Sequence, residues 1–311
     1  MRTTATKYMF VGAPGFKDGG QADEGRVYMY EWGIGSDGST YDTWTQNLTI
    51  SSNDPGPNKR FGHRIAANDN GDILAISSVA PGRAGMVEIY KRTSQSNDDS
   101  VEHSFTYVQT LAGVTSDGST LNTQFGDSLA MSKDGTTLVI GAPGVDGTTQ
   151  ADSGAVYQYK WDADADSTLS YTLQQTINAP DDQSNMRFGS VLDLNDDGTR
   201  LVIGASGVSN EREMKFDSGE TIFDLQDTIF VDLNPESGAA YTATKYNSKF
   251  VIDDRLNTDK VSESDDFGRG VCVIDNTVFV GAPKDEGNTD CLLYTSPSPR
   301  DLSTSRMPSS A

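Results

Sequence analysis

The chain has 311 residues, among them 31 Gly, 11 Pro and 2 Cys, and its 24 Lys and Arg against 45 Asp and Glu give a formal net charge of −21. A chain this acidic lacks a basic surface for phosphates or anionic lipid, which argues against nucleic-acid and membrane-surface partners. No apolar run is long enough for a membrane span, no secretion signal opens the chain, and the few cysteines exclude a disulfide-stapled scaffold.

The chain repeats itself, and each complete unit begins with the dipeptide Phe-Gly. The copies start at Phe61, Phe125, Phe188 and Phe267. An apolar run ending in a small-residue corner recurs at residues 8–14, 73–77, 138–143, 201–206 and 278–283. A Gly then opens an alternating aromatic strand at residues 25–32, 85–91, 154–160 and 238–246. A last strand closes the unit at residues 43–50, 105–111, 169–177 and 249–256.

Short strands separated by Asp-Gly or Asn-Gly turns predict antiparallel meanders and almost no helix. A single meander cannot bury both of its faces, so several must stack, and radial stacking into a β-propeller is the usual arrangement. A chain of separate sandwiches is the alternative. The propeller is favoured because the small corner residues permit close backbone approach, while the Phe of Phe-Gly can fill the gap between sheets. The predicted fold class is therefore all-β, a partial β-propeller of four-stranded antiparallel blades.

This order of Phe-Gly, Gly-Ala-Pro and Gly-x-Val-Tyr resembles the FG-GAP repeat family, whose best-known members are the integrin α-subunit propellers. The pattern is more similar still to the FG-GAP-like variant of bacterial, phage and algal surface proteins, which residues 125–177 match nearly throughout. The likeness covers residues 8–290 in units 1–60, 61–124, 125–187, 188–266 and 267–290. Many relatives have more blades than this, so the resemblance implies an incomplete ring.

The resemblance also suggests Ca²⁺, because integrin-type blades carry a carboxylate-rich loop between their first two strands. The Asp-Gly turns of this chain lack the required spacing and are interpreted as hairpin turns. Two loops of identical length, at residues 12–28 and 141–157, share Gly-Ala-Pro-Gly and Gln-Ala-Asp-x-Gly. Their carboxylates form a candidate calcium site, with the alternative that these Asp side chains only cap turn amides. The candidate ligands are Asp18, Asp23, Asp146 and Asp152.

The chain shows no recognisable catalytic motif. It has no Gly-x-Ser-x-Gly, His-Glu-x-x-His, phosphate-binding loop or metal-type Cys/His spacing. His63 directly follows Phe-Gly, and His103 lies in a polar stretch. His63 is interpreted as a structural residue, and the protein is predicted not to be an enzyme.

The fourth unit carries an acidic insertion at residues 210–235 in which Phe and Asp recur together. Insertions in repeat proteins often map to the binding face. Aromatic rings beside carboxylates suit sugars or cationic groups. The candidate ligand-binding residues are therefore Phe216, Asp217, Phe223 and Asp224. A protruding hairpin without a ligand is the alternative.

Residues 291–311 change abruptly to a Ser- and Pro-rich composition. Their codons can be read back as a sequencing adapter translated in one frame. We therefore expect this segment to be an artefact that is disordered, and a natural Ser/Pro tail is the alternative.

The predicted function is a non-enzymatic, surface-exposed propeller for adhesion or ligand recognition, as in a virion or tail-associated structural protein of a phage. A surface glycan or a protein is the expected partner, and the expected location is extracellular, on the cell surface or on a virion. The alternatives are a carbohydrate-active enzyme on a propeller scaffold and a purely structural spacer.

Overall fold

The structure is a computed structural model that describes residues 7–17, 22–33, 43–97, 100–113, 122–163, 169–181, 183–208, 210–214, 229–234, 237–256, 266–283 and 292–296. Within these ranges, every regular element is a β-strand. None of the described residues forms a helix that could cross a membrane.

The strands form five antiparallel sheets in chain order, which we call blades 1 to 5, and one inserted hairpin. Blade 1 contains β1 (Tyr8–Ala13), β2 (Arg26–Trp32) and β3 (Trp44–Ile50). Blade 2 contains β4 (Phe61–Ala67), β5 (Ile73–Ser78), β6 (Met86–Asn97) and β7 (Ser100–Ala112). Blade 3 contains β8 (Ser128–Met131), β9 (Thr137–Ala142), β10 (Ala155–Ala163) and β11 (Leu169–Asn178). Blade 4 contains β12 (Val191–Leu194), β13 (Arg200–Ala205), β16 (Ala239–Tyr246) and β17 (Lys249–Leu256). The hairpin is β14 (Asn210–Met214) with β15 (Ile229–Asn234), and blade 5 contains β18 (Gly270–Ile274), β19 (Thr277–Ala282) and β20 (Leu292–Ser296).

The blades are arranged around a common axis. Their first strands contact one another in the order β4, β8, β12 and β18, while the fourth strands make fewer contacts between blades. The first strands are therefore innermost, as in a propeller. Among the described strands, no packing interface joins blade 5 to blade 1, so the ring is not closed. The predicted all-β, partial propeller is confirmed.

The Phe of each Phe-Gly fills the space between neighbouring blades. Phe61, Phe125 and Phe188 are 0% exposed and Phe267 is 1% exposed. Phe125 packs edge-on against Tyr157, with ring centroids 5.3 Å apart. This is the geometry that aromatic pairs prefer in protein cores. The predicted structural role of these rings is confirmed.

The Gly of Gly-Ala-Pro permits the close contact between blades. A Cβ added at Gly141 would lie 2.0 Å from the carbonyl oxygen of Gly189, the Gly of the next Phe-Gly. The amide of Gly189 donates to the carbonyl of Gly204 at 3.0 Å, which fixes this corner within its own blade. The two halves of the motif therefore meet each other across the blade interface.

The insertion at residues 210–235 and the segment at residues 291–311 do not follow the four-stranded pattern of the blades. Within residues 210–235, β14 pairs with β15 as an antiparallel hairpin. Leu292–Ser296 pairs with β19 as the third strand of blade 5. The sequence of this strand is Leu-Leu-Tyr-Thr-Ser, and the unpaired edge of β19 can accept any extended segment of this kind. The expected disorder of residues 291–311 therefore stays a prediction. The rest of that segment lies outside the described residues, and its adapter origin stays a prediction.

Candidate functional site

The residue after each Phe-Gly lies where the innermost strands begin. In blades 2 to 5 this position holds His63, Asp127, Ser190 and Arg269. The preceding Gly has positive φ, for example 85° at Gly62, so the chain turns sharply before this residue. The register of blade 2 also shifts between Phe61 and Ile65, as at a β-bulge. Bulges of this kind re-aim side chains.

Two of these residues meet across the interface of blades 2 and 3. Nε2 of His63 lies 3.0 Å from Oδ1 of Asp127, and their side chains are 20% and 21% exposed. A carboxylate in this position holds an imidazole in one orientation and favours the tautomer with the proton on Nε2. The other ring nitrogen, Nδ1, then carries the lone pair that can accept a proton. We call His63 and Asp127 the axial pair.

Arg64 adds a positive group beside the axial pair. Its Nε donates to the backbone carbonyl of Asp127 at 2.9 Å, and its backbone amide donates to Oγ of Ser77 at 3.0 Å. Ser77 is 0% exposed. The Ser77 hydroxyl is therefore a structural acceptor and not an accessible nucleophile. The arrangement offers a base and a cation but no protein nucleophile, which is suited to activating water.

The next pair of inner strands is chemically different. On β18, burial raises the pKa of the Cys272 thiol. The negative charge of Asp193 and a hydrogen bond with it raise this pKa further. Asp193 also accepts the backbone amide of Val273 at 2.7 Å. Because the thiolate is the nucleophilic form, this cysteine is not activated. The axial pair is therefore the stronger catalytic candidate.

At their opposite ends, the inner strands are joined through their hairpin turns. The amide of Asp69 donates to the carbonyl of Lys133, and the amide of Lys133 donates to the carbonyl of Asp196, both at 2.9 Å. The Lys133 ammonium lies 3.7 Å from the Asp69 carboxylate and 3.5 Å from that of Asp196. These acidic turns are thus joined by hydrogen bonds and by a cation of the protein itself.

Two of the candidate calcium ligands, Asp23 and Asp152, contact the next blade through their backbone carbonyls. The carbonyls of residues 151–153 accept the amides of Asn185, Arg187 and Phe188 at 2.9, 3.1 and 3.0 Å. Residues 22–24 make the same three contacts with Asn58, Arg60 and Phe61, at 2.7, 2.8 and 3.0 Å. The shared loop sequence therefore joins one blade to the next.

The carboxylates of these loops do not come together as a ligand set in the described ranges. Oδ1 of Asp146 accepts the backbone amide of Asp152 at 3.0 Å, which is the turn-capping alternative. Asp23 and Asp152 have φ of 48° and 53°. No group of three or more His, Cys, Asp or Glu placed to hold a metal occurs among the described residues, and Asp18 lies outside them. The described residues alone therefore do not form a calcium site, and because Asp18 lies outside them the calcium site stays a prediction.

The candidate ligand-binding residues lie outside the described residues. Phe216, Asp217, Phe223 and Asp224 fall between β14 and β15. Their role stays a prediction.

Sequence reasoning missed Asp127 as a partner of His63. The two residues are separated by a whole repeat, and neither belongs to a local motif. Aligning the repeats would have placed both at the position after Phe-Gly. In a propeller such positions become neighbours at the axis, so the alignment carries the signal.

Comparison with known proteins supports the repeat. Residues 110–159 match the FG-GAP repeat family. No protein of curated function matches the chain. A protein of Bacteroides fragilis described as a candidate 6-phosphogluconolactonase is 13% identical, with a TM-score of 0.41, over 90% of this chain and 67% of its own. The periplasmic gluconolactonase PpgL of Pseudomonas aeruginosa is 14% identical, with a TM-score of 0.39, over 94% of this chain and 82% of its own.

The predictions of a non-enzymatic adhesion protein and of no enzyme activity need correction. The similar solved structures are described as lactonases, which are enzymes, so we do not retain either prediction. The reason for the error is that a propeller frame hosts many functions, and the absence of a local motif does not exclude a site assembled from several blades. At this level of similarity, the comparison does not identify the activity of this chain.

The motif contacts recur between the described blades, except that Ser77 takes the place of the corner Gly in blade 2. Phe61, Phe125, Phe188 and Phe267 are all buried, and Gly12, Gly141 and Gly204 each approach the Gly of the following Phe-Gly. Residues 110–159 match the FG-GAP repeat, and similar contacts join the other described blades of this incomplete propeller.

Proposed function

We propose that the protein is a carbohydrate-active hydrolase in which the axial pair activates water. The observation that carries this proposal is the contact of 3.0 Å between Nε2 of His63 and Oδ1 of Asp127. Both side chains are partly exposed where the inner strands begin, so water can reach the pair. An oriented imidazole is the commonest general base in enzymes.

The proposed reaction is hydrolysis of a cyclic sugar ester. Nδ1 of His63 takes a proton from water, and the resulting hydroxide adds to the acyl carbon. The Arg64 guanidinium stabilises the oxyanion that forms. The acyl carbon to ring oxygen bond then breaks, and the imidazolium returns its proton to the leaving alkoxide. The products are a free hydroxyl group and a carboxylic acid, which ionises in solution.

The lactonase names supply a defined compound for the first assay, although they add nothing to the structural argument. Hydrolysis of D-glucono-1,5-lactone is followed by the acid released, in wild type, His63→Gln and Asp127→Asn. We expect kcat/KM to fall about 10²–10⁴-fold in His63→Gln, the usual contribution of a general base. The matched control is Ser190→Ala, which changes the same repeat position in blade 4 and should leave kcat/KM unchanged.

Two results would contradict the proposal. One is hydrolysis by wild type no faster than in buffer, with this lactone and with aryl esters of sugar acids. The other is a pH dependence of the rate that is the same in His63→Gln and wild type. If the variants lose thermal stability but keep full activity, the axial pair is a contact between blades, and the hydrolytic site lies elsewhere in the protein. An extracellular location and a surface glycan partner stay predictions.

A further inference from the structure

A polar cavity lies away from the axial pair, between the loop that follows β1 in blade 1 and the loop that follows β5 in blade 2. Its volume is about 460 Å³, and Asp23, Asn58, Arg60, Pro81 and Arg83 are among the residues that line it. This volume lies within the range of small-molecule sites. None of these residues belongs to the axial pair.

The sequence of blade 2 places Arg83 in this cavity. Only residues 79–84 separate Ser78 from Gly85, whereas residues 143–153 separate Ala142 from Gly154 in blade 3. The shorter loop turns at Gly82, which has φ of 72°, and the amide of Arg83 donates to the carbonyl of Ala80 at 3.1 Å. The loop therefore ends close to its own strand and carries its arginine there.

Arg60 reaches the same cavity from the segment that joins blades 1 and 2. Its φ is 58°, and its amide donates to the carbonyl of Asp23 at 2.8 Å. This contact between blades fixes the backbone from which the side chain starts. The Arg60 side chain is half-buried, and Arg83 is exposed.

Neither guanidinium makes an ion pair or a hydrogen bond with the part of the protein that is described. Other arginines do so, since Arg255 lies 2.8 Å from Asp181 and Arg269 lies 2.6 Å from Asp266. Unpaired arginines are unexpected in a chain with 45 Asp and Glu. Asp23 lines the cavity but is not within ion-pair distance of either arginine. The positive charge of the cavity is thus available to a ligand.

We propose that this cavity binds a small molecule through a carboxylate or phosphate group. Two guanidinium groups can each donate a pair of parallel hydrogen bonds to an oxyanion, which is the geometry for which arginine is preferred over lysine. The net charge of −21 repels anions over long distances, so binding depends on these short contacts. The site goes beyond the proposed hydrolase and does not depend on it.

Isothermal titration calorimetry with inorganic phosphate, D-gluconate and the neutral sorbitol tests the proposal. The salt is held near 0.15 M, where charges farther apart than about 8 Å are screened. We expect phosphate, gluconate or both to bind and sorbitol not to bind. Binding of only one of the two anions assigns the group that the site prefers.

The variants Arg60→Gln and Arg83→Gln should each weaken binding about tenfold, the loss of one charge-assisted contact. Arg60→Lys keeps the positive charge but loses the pair of parallel hydrogen-bond donors, so its affinity should lie between those of wild type and Arg60→Gln. The matched control is Arg187→Gln, since Arg187 holds the same repeat position before blade 4 and its side chain also has no partner among the described residues. Unchanged circular dichroism confirms that each variant is folded.

Two outcomes would overturn the proposal. The first is the absence of any anion binding by wild type. The second is equal weakening in Arg187→Gln and Arg60→Gln, which would mean that anions respond to general surface charge. Since the measurement is binding and not turnover, a failure here is separate from a failure of the proposed hydrolase.

Discussion

Replacing Phe125 by Ala should remove a large part of the contact between blades 2 and 3. The ring is 0% exposed, and its centroid lies 5.3 Å from that of Tyr157 and 6.5 Å from that of Tyr159. Truncating a buried Phe to Ala typically costs about 3–5 kcal/mol. The two edge-on ring pairs account for about 0.5–1.5 kcal/mol each of that cost. We therefore expect a free energy of unfolding lower by about 4 kcal/mol.

Urea unfolding followed by near-ultraviolet circular dichroism measures this loss. Phe125→Leu keeps much of the apolar volume and should cost less than Phe125→Ala, because it leaves a smaller cavity. Val251→Ala is the control, since Val251 is 52% exposed, and it should stay within about 0.5 kcal/mol of wild type. A loss below about 1 kcal/mol in Phe125→Ala, with an unchanged dependence on urea, would refute the structural role of the motif.

Gly154→Ala should lower the free energy of unfolding by about 1–3 kcal/mol or more, because φ is 89° and the new Cβ would lie 2.2 Å from the carbonyl oxygen of Phe188. Gly270→Ala, with nothing within 4 Å of its Cβ, is the control, and equal melting temperatures would contradict this prediction. For Asp134, burial raises the carboxyl pKa, but hydrogen bonds from Ser132 and Thr136 outweigh it, and the pKa is lowered. Its stabilising effect should therefore be complete above the ordinary pKa of about 3.9 and disappear as the pH falls through the lowered pKa. Unfolding of Asp134→Asn and wild type compared across this range checks the sign. If Ca²⁺ binds, its Kd should be about 10⁻⁴–10⁻³ M. Calorimetry should show that an Asp146→Ala, Asp152→Ala variant no longer binds Ca²⁺. Tight binding retained in that variant would exclude these loops as the calcium site.

The fold was accessible from the sequence because the residues that join the blades are repeated. The Phe of Phe-Gly recurs in blades 2 to 5 and the corner Gly in blades 1, 3, 4 and 5, so their spacing revealed both the strands and their stacking. The two loops of identical length at residues 12–28 and 141–157 were harder to interpret. Their shared carboxylates suggested a metal, whereas the structure shows that their backbone carbonyls hold the next blade. A sequence shared between repeats does not show whether its residues bind a metal or join two blades.

The candidate sites were not accessible in the same way. His63 and Asp127 occupy one repeat position in two different blades, and only the turn before each side chain makes them meet. Arg60 and Arg83 come together because one loop is short, a feature that no residue pattern announces. Both arrangements depend on the distance between blades, which periodicity alone does not give.

Blade 2, which contributes residues to both proposed sites, departs from the repeat at two further positions. Ser77 stands where blades 1, 3 and 4 have the corner Gly, and Glu88 stands where blade 4 has Tyr241. The Tyr241 hydroxyl donates to Asp181 on the preceding connection at 2.9 Å. The Glu88 carboxylate instead accepts the Ser52 hydroxyl at 3.0 Å on the corresponding connection. The contact between a blade and its preceding connection is thus made by a Tyr hydroxyl in blade 4 and by a Glu carboxylate in blade 2.

This substitution explains why function should be sought in the residues that differ between repeats. A residue that recurs among the repeats makes its contacts with the next blade, as the buried Phe and the paired Gly show. Where blade 2 differs, a side chain such as His63 or Arg83 is added to a joint that already holds without it. A different side chain can therefore replace such a residue without separating the blades. The axial pair and the unpaired arginines are therefore placed where a repeat protein can acquire a site at the least cost to its fold.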